Sequence, residues 1–105
     1  MERALRVLVV EDSERDLELL LRDLRKGGFL VVTHARVQTA PEMRAALEKA
    51  EWDIVISDYA LPEFDANQAL ATLQQSDIDI PFIIVSGTIG EDVAVSALHA
   101  GAKSL

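Results

Sequence analysis

Four short apolar runs, each followed by a segment with helical periodicity, constrain the fold of this chain more than any other feature. They lie at residues 6–10, 29–33, 53–57 and 81–85. Apolar runs of this length without polar alternation are typical of strands covered on both faces, as in a parallel sheet. The repeated strand–helix order therefore predicts an α/β fold, a doubly wound parallel sheet with right-handed crossovers, built here from four βα units.

The segments between these runs carry helix signals at both ends. Ser13 can cap the first helix, which Gly27 and Gly28 end, because glycine adopts the left-handed conformation without a Cβ clash. Capping boxes are predicted at Thr39 with Glu42 and at Asp65 with Gln68. Four apolar stripes are expected to face the core: Leu17, Leu20, Leu21 and Leu24; Met43, Ala46, Leu47 and Ala50; Ala66, Ala69, Leu70 and Leu73; and, in a helix over residues 91–100, Val93, Ala94, Ala97 and Leu98.

The amino-acid composition excludes several classes of function for this chain. The length of 105 residues suits one domain over positions 1–105, and 18 acidic against 10 basic residues give a net charge of −8. Such a surface repels phosphate backbones and anionic lipid, so we expect no nucleic-acid and no membrane partner for this chain. The absence of cysteine excludes a disulfide scaffold and a thiol nucleophile. With no signal-peptide pattern, a cytoplasmic location is expected.

Acidic residues follow two of the apolar runs, and a serine hydroxyl follows another. Glu11 and Asp12 come after the first run, Asp58 after the third and Ser86 after the fourth. In a parallel sheet these positions gather at the carboxyl edge, where ligands bind. Two carboxylates about 4 Å apart repel by roughly 4 kcal/mol at an effective dielectric near 20, so a proton or a cation must offset the charge. Carboxylate oxygens favour Mg²⁺. The alternative is that each acid merely caps a helix.

A carboxylate in such a site can act as a nucleophile and form an acyl phosphate. Four segments of the chain connect this chemistry with a known protein family. They are VLVVEDS at 7–13, DIVISDYALP at 53–62, PFIIVSG at 81–87 and ALHAGA at 97–102. Together they resemble the receiver domain of two-component response regulators. The resemblance implies a flavodoxin-like fold with strand order 2-1-3-4-5.

The resemblance also implies a role for each matching residue. Glu11, Asp12 and Asp58 would hold Mg²⁺, with the backbone carbonyl of Ala60 as a further ligand. Asp58 would be the phosphoacceptor, supplied by a histidine kinase or a phosphotransfer protein. Ser86 would contact the phosphoryl group and take part in the switch. A signalling domain of this kind is not an enzyme in its own right.

Three positions depart from the family pattern. The lysine of receivers would fall beyond Leu105, Leu105 itself stands where many receivers have a switch aromatic, and Ala66 replaces a common glycine. We therefore expect the chain to stop before the last strand and helix. That would leave a sheet edge that a second copy or another partner could cover.

Two other functions stay open from the sequence. One is a receiver-like interaction module that works without phosphorylation, because the lysine is missing from these 105 residues. The other is a Mg²⁺-dependent phosphoryl-transfer enzyme. Ala60 disfavours it, because such sites commonly place a second acid at that position.

Overall fold

The computed structural model describes residues 3–58 and 64–85, with the backbone alone at positions 3, 58 and 85. The predicted helix over residues 91–100 and two predicted site residues, Ala60 and Ser86, lie outside this part of the chain. The elements are β1 Arg3–Val10, α1 Glu14–Lys26, β2 Phe29–Val37, α2 Ala40–Lys49, β3 Ile54–Asp58, α3 Ala66–Gln75 and β4 Phe82–Val85.

All pairings in the sheet are parallel, and the strand order is β2-β1-β3-β4. This confirms the predicted doubly wound architecture. On the two central strands, β1 and β3, Val7, Leu8, Ile54 and Val55 are fully buried. In the described part of the chain, β2 and β4 form the two edges of the sheet.

Two apolar layers pack on opposite faces of the sheet. One face is covered by α1, whose predicted stripe of Leu17, Leu20, Leu21 and Leu24 is buried. The other is covered by α2 and α3. Of their predicted stripes, Met43, Leu47, Ala66, Ala69 and Leu73 are buried, and Ala46 and Leu70 are partly buried. Ala50 is exposed, because the helix has already ended there and Ala50 serves as its C-cap.

The helix ends largely follow the predicted signals. Ser13 Oγ accepts from the backbone N–H of Asp16, and Asp65 and Gln68 form the complete reciprocal box. The predicted box at Thr39 is only half formed. Thr39 Oγ1 accepts from the N–H of Glu42, but the Glu42 carboxylate reaches back to the N–H of Gln38 instead.

The glycine pair after α1 ends the helix as predicted. Gly27 is the C-cap, with a φ of −79°, and the left-handed residue is Gly28, with a φ of +94°. No described helix is long and apolar enough to cross a membrane.

Strand β2 is longer than predicted, and the prediction that it ends at Thr33 is wrong. It continues to Val37 as the outer neighbour of β1. The register shifts between Leu5, which pairs with Val31, and Arg6, which pairs with Thr33, so one extra residue, Val32, lies in β2. Such a bulge breaks the alternation of faces that signals a strand in sequence. Before it, Phe29 and Val31 face α1; after it, Ala35 and Val37 face the opposite layer.

Candidate functional site

The strand register brings the predicted acidic residues to one edge of the sheet. Val10 pairs with Ser57 on β3, so the next position on each strand puts the backbone of Glu11 level with that of Asp58. Neighbouring strands lie about 4.8 Å apart. Asp58 in turn pairs with Val85 on β4, directly before Ser86 in the sequence. The carboxyl edge is therefore shared by the first, third and fourth apolar runs, as predicted.

Glu11 is the most constrained residue of this edge. Only 7% of it is exposed, and its backbone N–H donates to the carbonyl of Val37 at 3.0 Å. Its carboxylate Oε2 accepts from the backbone N–H groups of Asp12, at 2.9 Å, and Ser13, at 3.3 Å. The carboxylate thus holds the turn of the β1–α1 loop just before the helix, and Ser13, not Glu11, is the residue that caps α1.

Asp12 differs from Glu11 in its surroundings. It is exposed, and it directly precedes Ser13, the N-cap of α1. An exposed carboxylate beside a buried one offers a ligand pair in which one member is fixed and the other is open to solvent. Such a pair suits Mg²⁺, which is usually bound through one or two carboxylates and keeps several waters.

The donor set of this edge therefore fits a hard divalent cation. Glu11 and Asp12 supply carboxylates, and Asp58 stands beside them along the sheet edge. Within residues 3–58 and 64–85, no three acidic, histidine or cysteine side chains with described positions are grouped closely enough to hold a metal ion. The third predicted carboxylate, Asp58, is described by its backbone alone.

Arg36 is a residue of this edge that sequence reasoning missed. Its Nη1 donates to the carbonyl oxygen of Glu11 at 3.3 Å, and its Nη2 contacts Glu14 Oε1 at 3.4 Å. The side chain is only 21% exposed. Sequence reasoning ended β2 at Thr33 and so left Arg36 outside the site. The one available signal was an arginine between two apolar residues, Ala35 and Val37, which is consistent with a continued strand.

The opposite, amino edge of the sheet has a different chemistry. The Arg6 guanidinium donates to Asp53 through Nε, at 3.2 Å, and through Nη2, at 3.0 Å, and the Arg6 backbone N–H donates to the same carboxylate at 2.7 Å. The side-chain hydrogen bonds from Arg6 lower the pKa of Asp53, against the opposing effect of burial. They also raise the pKa of Arg6. This ion pair joins β1 to the start of β3 and is structural.

A parallel sheet in the order 2-1-3-4, with an acid pair after its first strand and an aspartate ending the third, defines an α/β domain of the flavodoxin-like receiver type. The family model of the response regulator receiver domain matches residues 7–105. The chain belongs to this family. Receiver domains accept phosphoryl groups from histidine kinases and generally bind Mg²⁺ at the phosphorylation site.

Similar proteins of known sequence include transcriptional regulators and a sensor kinase. The transcriptional regulatory protein PrrA of Mycobacterium tuberculosis is 36% identical over 97 residues, which cover 92% of this chain and 40% of that protein. The chemotaxis protein CheY of Bacillus subtilis is 30% identical over 99 residues, covering 93% of this chain and 80% of that protein. The chain thus spans less than half the length of PrrA.

Solved structures agree on the fold. The BeF3-activated receiver domain of nitrogen regulatory protein C is 31% identical and superimposes with a TM-score of 0.59, covering 100% of this chain and 82% of that one. A sensor protein from Polaromonas sp. JS666 gives a TM-score of 0.71 at 21% identity, covering 90% and 93% of the two chains.

Proposed function

We propose that Asp58 is the phosphoacceptor of this receiver domain and that Glu11, Asp12, Asp58 and the backbone carbonyl of Ala60 hold Mg²⁺. The observation that supports this most is the register of β1 and β3, which puts the backbone of residue 58 level with that of Glu11. The buried Glu11 and the exposed Asp12 supply the fixed and the open member of the ligand set.

The reaction is transfer of a phosphoryl group from a phosphohistidine of a kinase or phosphotransfer protein. A carboxylate oxygen of Asp58 forms a bond to phosphorus, the phosphorus–nitrogen bond breaks, and the electron pair returns to the imidazole nitrogen. Bound Mg²⁺ would offset negative charge on the carboxylates and the phosphoryl oxygens. The hydroxyl of Ser86 would donate to a phosphoryl oxygen in the product.

The consequence is a phosphorylation-dependent switch in partner binding, not turnover of a substrate. The chain's charge of −8 disfavours nucleic acid as a partner of this segment. The proposed partners are a histidine kinase or phosphotransfer protein, and a second copy or another protein at the sheet edge. The proposed compartment is the cytoplasm, where such partners would supply the phosphoryl group.

Phosphorylation by a small phosphodonor tests the proposal directly. Incubation with Mg²⁺ and acetyl phosphate is expected to add one phosphoryl group, about 80 Da by intact mass. Asp58→Asn should abolish the adduct, and Asp79→Asn, a change at an exposed residue away from the site, should leave it. An adduct that persists in Asp58→Asn would overturn the assignment. Mg²⁺ binding without any adduct on the wild type would favour the phosphorylation-independent module.

A further inference from the structure

We propose that Arg36 is a positioning residue for the acid pair, holding the peptide group between Glu11 and Asp12 in the orientation that Mg²⁺ binding requires. This inference rests on the proposed metal site. The residue lies near the end of β2, on the strand that neighbours β1 and not on either acid-bearing strand.

The peptide group that joins Glu11 to Asp12 is held from both sides. Its carbonyl oxygen accepts from Arg36 Nη1 at 3.3 Å, and its N–H donates to Glu11 Oε2 at 2.9 Å. Rotation of this peptide would break both hydrogen bonds at once. Because the Glu11 carboxylate accepts from the N–H of this same peptide, the orientation of the peptide fixes where that acid lies.

The end of β2 supports the same loop at a second point. The N–H of Glu11 donates to the carbonyl of Val37, the residue after Arg36. The two peptide groups flanking the Glu11 Cα are thus both bound to consecutive residues of β2. The last two residues of β2 therefore hold the loop that carries Glu11 and Asp12 in place.

An ion pair with Glu14 does not account for the placement of Arg36. The Glu14 side chain is 81% exposed and the contact is 3.4 Å long, so solvent screens the attraction. The Arg36 side chain, by contrast, is 21% exposed. Because the guanidinium is largely covered and its other partner is a backbone carbonyl, its role is to position that carbonyl.

Charge and geometry make opposite predictions for Mg²⁺ affinity. The positive charge of Arg36 near a cation site opposes Mg²⁺ binding, so its removal would tighten binding if charge were the dominant effect. Loss of the hydrogen bond to the Glu11 carbonyl frees the peptide and weakens binding. The guanidinium lies against the Glu14 carboxylate, which offsets its charge, so we expect geometry to dominate, with a Mg²⁺ dissociation constant about fivefold higher in Arg36→Gln.

Arg25→Gln is the matched control. Arg25 lines the same groove between α1 and β2 as Arg36, and its substitution removes the same charge without touching the acid-bearing peptide. Two measurements are made on the wild type, Arg36→Gln, Arg36→Lys and Arg25→Gln. The first is hydrogen exchange of the Asp12 and Ser13 amides in metal-free protein by NMR, and the second is Mg²⁺ affinity by calorimetry at 0.15 M salt.

Arg36→Gln is expected to speed exchange of the Asp12 amide about fivefold, the factor for loss of one hydrogen bond. Arg36→Lys, which keeps the charge but not the forked donor geometry, should speed it less, and Arg25→Gln should match the wild type. Unchanged exchange in Arg36→Gln, or tighter Mg²⁺ binding, would overturn the inference. If Arg36→Gln fails to fold, the same criteria apply to Arg36→Lys. Absence of Mg²⁺ binding in the wild type would instead refute the metal site, while the exchange data still decide whether Arg36 holds the loop.

Discussion

Substitution of Asp53 by asparagine probes the ion pair at the amino edge of the sheet. The Asp53 carboxylate receives three hydrogen bonds from Arg6, one of them from the backbone N–H. Asparagine keeps one acceptor oxygen in nearly the same place but carries no charge. The variant therefore removes the charge-assisted part of the interaction while leaving the shape of the site.

The expected cost is about 1 kcal/mol at neutral pH. Hydrogen bonds to charged groups contribute about 1.5–3 kcal/mol, and this figure is reduced here because 35% of the Asp53 side chain is exposed. For a domain of this size, 1 kcal/mol lowers the melting temperature by about 4 °C. Glu51→Gln is the matched control. Glu51 contacts the same arginine but is 89% exposed, so its loss should change stability by less than about 0.5 kcal/mol.

The pH dependence follows from the lowered pKa of Asp53. A carboxyl group whose pKa is lower in the folded than in the unfolded state stabilises the fold above the unfolded value of 3.8. That stabilisation is lost as the pH falls through the lower, folded-state pKa. The difference in free energy of unfolding between wild type and Asp53→Asn should thus be complete above about pH 5 and shrink towards pH 3.

Urea denaturation at pH 7, 5, 4 and 3, followed by circular dichroism, measures this difference. A difference between wild type and Asp53→Asn that stays constant from pH 7 to pH 3 would refute the electrostatic reasoning. A loss as large for Glu51→Gln as for Asp53→Asn would show that the exposed and the half-buried carboxylates are equivalent.

Three further substitutions test the packing and the turns, each by urea or thermal denaturation at pH 7. Leu24→Ala removes a fully buried side chain of α1 and should cost about 2–5 kcal/mol. Gly28→Ala should cost about 1–2 kcal/mol from backbone strain alone, because φ is +94° while an added Cβ meets no atom within 4 Å. Asp77→Gly should stabilise the protein by about 0.5–1 kcal/mol, because Asp77 adopts a φ of +57° just after α3. A neutral Leu24→Ala, a neutral Gly28→Ala or a destabilising Asp77→Gly would contradict the corresponding argument.

Local signals in the sequence predicted the helices well, because a helix end is decided within a few residues. Ser13 and Asp65 cap the helices that they were expected to cap. The stripe on α1 is buried at all four positions. The Glu42 carboxylate was assigned the wrong partner, since the choice between the N–H groups of Thr39 and Gln38 depends on how the chain leaves β2.

The second half of β2 could not be predicted, because its pattern depends on a neighbour distant in sequence. Thr33 and His34 are exposed on an edge strand and carry no hydrophobic signal. What keeps them in the sheet is pairing with Arg6 and Val7 of β1. The acids of the candidate site directly follow apolar runs, and the register puts the backbones of Glu11 and Asp58 level, as expected; their role in the site stays a prediction. Arg36 was missed because it enters the site from the strand whose end was misplaced.

The bulge at Val32 has a consequence at the far end of the strand. If β2 alternated regularly through Val32 instead of bulging there, every later position would exchange faces, and Arg36 would take the side now occupied by Ala35 and Val37. Deletion of the exposed Val32 would close the bulge without changing the later pairings, so Arg36 would stay opposite Val9 and beside Glu11. The outer strand can therefore present apolar side chains to α1 in its first half and a cation to the acid loop in its second half, and the bulge is what reconciles the two.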